Sequence, residues 1–174
     1  MPKSRGRKKP SRKQSRGRLR AVPDQADKLQ DDELQDEVER RMFTMPYVGT
    51  RVGDDDFPAL DPGDPDERGI LIKGEHPEYH DVLADPDFEG ELDGVNPRLH
   101  LIMHEMVANQ LWDNDPPEAW HAARRLRDLG YDRHDILHAL GDVSLTQLHA
   151  SLTEQRPFDR EQYCADLDQL GRHI

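Results

Sequence analysis

Cysteine is nearly missing from this chain. Cys164 is the single thiol among 174 residues, so no internal disulfide can form, and the usage fits a reducing cytosol. No run of 18 or more apolar residues occurs, which excludes a membrane-spanning helix. The basic N-terminus has no apolar stretch behind it and does not read as a secretory signal. Familiar catalytic patterns are missing too. His104-Glu105 is not followed by the second histidine of a zinc-protease H-E-x-x-H, and no G-x-S-x-G, P-loop or G-x-G-x-x-G is found. The acids of 54–66 lack the spacing and terminal Glu of an EF-hand. Apolar residues make up only 34%, matched by 34% charged residues and 13 prolines, so only part of the chain is expected to form a core.

What is present is unevenly spread. The formal charge is −12, yet the first twenty residues hold ten bases and no acid: Lys3, Arg5, Arg7, Lys8, Lys9, Arg12, Lys13, Arg16, Arg18 and Arg20. The remainder carries 14 bases against 36 acids, a basic tail on an acidic body. Residues 1–24 offer almost nothing to bury and are expected to be disordered. Arrayed cations displace counterions from phosphate backbones, so the tail can tether unspecific nucleic acid. It can equally be a solubilising tail that folds back on the acidic body. It holds no aromatic residue for base stacking.

Gln25 to Thr44 has no proline or glycine, acids in its first turns and Arg40-Arg41 near its end, which predicts a helix. Its thin stripe of Leu34, Val38 and Met42 is expected to pack inward. Residues 45–75 read as a long acidic, Pro/Gly-rich loop, with Ile70-Leu71-Ile72 as an apolar clip in the form of a short strand. From 76 to 174 the signals are those of a bundle. Pro77 opens a short helix that ends at Asp85-Pro86. Asn96-Pro97 and Asp115-Pro116 read as cap-plus-proline starts. Gly130 ends the second of these helices, and Asp132 and Asp159 cap two more. The fold class is all-α, a small bundle of about four to six helices, with the 97–112 helix most buried.

Three histidine pairs stand at four-residue spacing: His76/His80, His100/His104 and His134/His138. Chance placement of nine histidines would give about 0.4 such pairs, by simple template counting. Residues four apart share a helix face, so two imidazoles can converge on one ion. Glu105 and Asp135 are candidates to orient the rings from behind. The ion would be divalent, with zinc, iron or manganese all open. The competing reading is a set of imidazoles satisfied by carboxylates, carbonyls or water. His121, His149 and His173 are unpaired, and Cys164 has no acid-base partner nearby in sequence.

The runs N-P-R-L-H-L-I-M-H-E-M-V-A-N-Q-L and G-Y-D-R-H-D-I-L-H-A-L-G, with H-P-E-Y-H upstream, resemble a group of bacterial proteins classed as domain of unknown function 1841. The likeness runs from about Glu75 to Leu152. It implies an all-helical, cytoplasmic, bacterial protein and assigns no reaction. Some relatives carry an acid in place of His138, a change that a ligand position tolerates. Two functions follow from the residues. One is a metal-binding bundle. The other is a metal-free interaction protein that holds nucleic acid or a basic protein partner through its charged tail and acidic body.

Overall fold

The computed structural model describes residues 25–172, with side chains of the first helix from Lys28 onward. The basic tail, and with it the expected nucleic-acid contacts, lies outside the described residues. Among these are α1 (Gln25–Thr44), the strands β1 (Thr50–Val52) and β2 (Asp55–Phe57), α2 (Pro65–Gly74), the single turn α3 (His80–Leu83), α4 (Pro97–Asp113), α5 (Pro117–Asp128), α6 (Arg133–Thr153) and α7 (Arg160–Gln169). The strands pair antiparallel, Thr50 opposite Phe57. No described helix is long and apolar enough to cross a membrane.

Local chemistry sets the helix ends. Asn96 Oδ1 accepts from the Leu99 N–H, Asp132 from Asp135 and Asp159 from Gln162, so each short polar side chain satisfies an otherwise orphaned donor. Pro97 stands at a position where no N–H is needed. Gly130, at φ +92°, takes the left-handed conformation past the end of α5. One start differs from expectation. Asp115 does not cap α5; Pro116 holds that position, with Pro117 behind it and no side-chain cap.

Two further expectations give way. The stretch read as loop contains α2, with Asp64 as N-cap and Pro65 at its start, and Leu71 and Ile72 are buried on a helix, not a strand. The Leu34, Val38 and Met42 stripe faces solvent, 60%, 54% and 56% exposed. The opposite side of α1 is the one that packs. There the buried Arg40 donates to the Leu111 and Trp112 carbonyls in the last turn of α4. Trp120 Nε1 donates to Asp36 at 3.0 Å. Phe43 packs inward beside these polar contacts, against Trp120, and the Leu34, Val38 and Met42 stripe is left outward.

The core has two parts. Val107, Leu111, Trp120, Ile136, Leu140 and Leu167 pack where α4 to α7 meet. Met45, Leu71, Ile72, Tyr79, Leu101 and Ala108 pack where α2 meets α4. Helix α4 contributes to both, which makes it the central element, although Leu99 and Ile102 remain exposed. Its closeness to α6 depends on Gly141. A Cβ there would come within 2.1 Å of Met103 Sδ and 2.5 Å of its Cγ. Gly141→Val should therefore destabilise the protein by about 1–3 kcal/mol through overpacking. A denaturant titration should show this loss, and Met103→Ala in the same chain should recover part of it. An unchanged midpoint for Gly141→Val would contradict the close approach.

Candidate metal centre

Three elements bring five imidazoles together. His100 and His104 stand one turn apart on α4, and His134 and His138 one turn apart on α6. His76 follows the C-terminus of α2, just ahead of the 3-10 turn Pro77–Tyr79. Its ring centroid lies 4.6 Å from that of His104 and 4.9 Å from that of His100. The His104 ring is 5.1 Å from His134 and 5.0 Å from His138. One ring nitrogen from each of His76, His100, His104 and His134 falls in a group with all members within 4.8 Å of one another. His138 joins through its Nε2, 3.3 Å from His104 Nε2, while His100 Nε2 lies 3.1 Å from the same atom.

The polar accounting is incomplete without a further partner. His76 Nδ1 donates to the Ile72 carbonyl at 2.8 Å, which fixes its tautomer and leaves Nε2 as a lone pair. That Nε2 is buried and unpartnered, as is His104 Nδ1. Both rings are only 1% exposed. Buried polar atoms normally find partners. At His104 protonation is disfavoured. Burial, followed by the neighbouring imidazoles, pushes His104 down to about 2 and His100 down to about 4 from the ordinary 6.5. His138 is also lowered by burial and by His134, with Asp142 and Asp135 opposing. Burial thus favours the neutral form of His100, His104 and His138, the form that ligates metals.

The structure does not bring His80 into this cluster. Its Nδ1 accepts from the Gly53 N–H at 3.0 Å and its Nε2 donates to the Lys73 carbonyl at 2.9 Å. Both nitrogens are used in clipping the β1–β2 turn to α2. The i,i+4 rule does not apply to His76 and His80, because His76 precedes the helical turns with non-helical φ −122°, ψ 61°. Nor do Glu105 and Asp135 hydrogen-bond an imidazole among the described residues. Each is the immediate neighbour of a cluster histidine, and adjacent helical residues point to different sides. Glu105 instead lies over Gly69 of α2.

Three residues that the histidine spacing does not reveal support the site. Tyr79 is buried and stacks on His76 with rings 3° from parallel and centroids 5.9 Å apart; it meets His100 edge-on at 5.4 Å. Arg133 Nη1 pairs with Glu75 at 2.6 Å, with side chains 25% and 14% exposed. Arg133 also donates to the Phe43 and Thr44 carbonyls at the end of α1. Glu75 and Arg133 each directly precede a cluster histidine, so this pair pins His76 and His134 to a common frame.

The lowered values fix the sign of a pH effect. Unfolded imidazoles bind protons near 6.5 and the folded ones resist until about 4 at His100, so acid favours the unfolded chain. Metal-free protein should lose stability steadily as pH falls from about 6.5 to about 4.5. Denaturant titrations across that window should show the slope, and His100→Gln should flatten it. A slope unaffected by that change would contradict the buried neutral cluster.

No curated protein and no solved structure matches the chain. A family model described as Domain of unknown function (DUF1841) matches residues 66–169, a span that begins in α2, ends with α7 and takes in all five clustered histidines. That span exceeds half of the 174 residues, and the chain belongs to the DUF1841 family.

Proposed function

We propose that this protein binds one divalent transition-metal ion at the meeting point of α2, α4 and α6. His76, His100, His104 and His134 are the ligands and His138 is a fifth donor beside them. The observation that carries the reading is the convergence of ring nitrogens from separate elements within 4.8 Å. An ion with metal–nitrogen bonds of about 2.0–2.1 Å sets adjacent donors about 2.9–3.4 Å apart, from octahedral to tetrahedral angles. The His100–His104 and His104–His138 separations, 3.1 and 3.3 Å, fall in that range. The orphaned Nε2 of His76 is aligned by a backbone carbonyl behind the ring, the usual arrangement for a metal-ligating histidine.

The donor set narrows the ion. Every candidate donor is an imidazole, with no thiolate and no carboxylate among them. That composition suits zinc, iron, nickel or copper and does not suit magnesium or calcium, which prefer oxygen. Manganese, which favours carboxylates, fits less well. Zinc is the first choice, because a structural or catalytic zinc site needs no redox partner. Hydrolytic chemistry would follow only where a coordination position takes water.

Full-length protein purified without a polyhistidine tag should carry close to one equivalent of metal by elemental analysis. Chelator should lower its melting temperature, since an ion held at 100 times its Kd stabilises the fold by about 2.7 kcal/mol. His104→Ala should lose the ion, and the exposed His121→Gln should keep it. Metal-free protein whose melting is indifferent to both chelator and added zinc would overturn the proposal, whatever the variants do.

A further inference from the structure

We infer that this metal position is open on one side, and that its free coordination position takes a small anion. The inference rests on the metal reading above and extends it from holding an ion to binding an exogenous ligand there. The five rings are unequally covered. His76 and His104 form the floor, each 1% exposed. Tyr79 closes one flank by stacking on His76 and meeting His100 edge-on. His100 and His138 are half-buried, and His134, on the first turn of α6, is exposed. The cluster is thus buried at His76 and His104 and reaches solvent at His134. A donor cluster that reaches solvent at one edge can admit an exogenous ligand to the ion, unlike a structural site buried on all sides.

Charge decides what fills the gap. Neutral imidazoles leave the ion with both of its positive charges beside buried, low-dielectric surroundings, and uncompensated charge there is costly. The acids that act on the rings are Glu78 near His100, and Asp135 and Asp142 near His138. None of the three hydrogen-bonds a ring nitrogen among the described residues. A monoanion bound directly to the metal removes one charge at the shortest distance. Tyr79 packs against His76 and His100, and His100 and His138 are half-buried, so a small anion fits beside the donors with the least displacement. Hydroxide and linear triatomic anions are small monoanions of this kind.

Azide is a suitable probe. Full-length protein is loaded with one equivalent of copper(II), the bound ion is counted by elemental analysis and paramagnetic resonance, and sodium azide is titrated in. An azide-to-copper charge-transfer band should rise and saturate at one azide per ion, with a matching change in the resonance spectrum. In His104→Ala the band should fall with the lost copper. Copper bound at one equivalent with spectra indifferent to azide would overturn the open position while leaving metal binding intact. Failure to load any ion would remove both. A band undiminished in His104→Ala would place the azide-binding copper elsewhere and also overturn the inference.

Discussion

Five imidazoles crowd into a space where neutral rings cannot all satisfy one another. A neutral imidazole has one N–H and one lone pair, so each contact between two rings needs a proton on just one side. At His104 Nε2 two such contacts meet, with His100 and His138, while His104 Nδ1 and His76 Nε2 are buried with no partner. Protonating the rings would add donors, but burial and mutual repulsion hold His100 and His104 far below the ordinary imidazole range. A cation taking the lone pairs of His76 Nε2 and of the Nε2 atoms that crowd at His104 relieves both without adding a buried proton to each ring, and leaves His104 Nδ1 as the N–H of that ring.

The rest of the structure keeps those rings in place. Gly141 brings α6 against Met103 of α4, so two helices carrying two histidines each lie close. Arg40 ties α1 to the end of α4. Arg133 joins Glu75 and the end of α1, which fixes the α2–α6 contact beside His76 and His134. A side chain that replaces water as partner for several backbone carbonyls restrains more than one element at once. The same arginine is charged and about three-quarters buried, so its carboxylate partner is required for its own burial.

Much of this was legible in the residues. The pairs on α4 and α6 follow from a four-residue spacing in helices marked by Asn96-Pro97 and Asp132, and the structure sets the two pairs face to face. His76 belongs with them and His80 does not, because the helical period fails where the chain turns at Pro77. The nature of α2 was hidden by its surroundings: Asp64-Pro65 is the same cap-plus-proline signal as Asn96-Pro97, but it sits among acids and glycines that read as turns. The outward stripe of α1 shows a limit of apolar patterning. Its inner face is chosen by Asp36 and Arg40, whose partners Trp120 and the α4 carbonyls lie more than 70 residues away. Tyr79 and the Glu75–Arg133 pair escaped notice for a similar reason, since no local period announces a stacked ring or a long-range ion pair.

X-ray absorption at the metal edge tests the convergence most directly, because it counts and identifies the atoms around the ion in solution. Zinc-loaded protein should show a shell of nitrogen at about 2.0–2.1 Å with the multiple scattering of four or five imidazoles. A first shell of oxygens with one or two imidazoles, the signature of surface binding, would contradict a shared ion held between α2, α4 and α6.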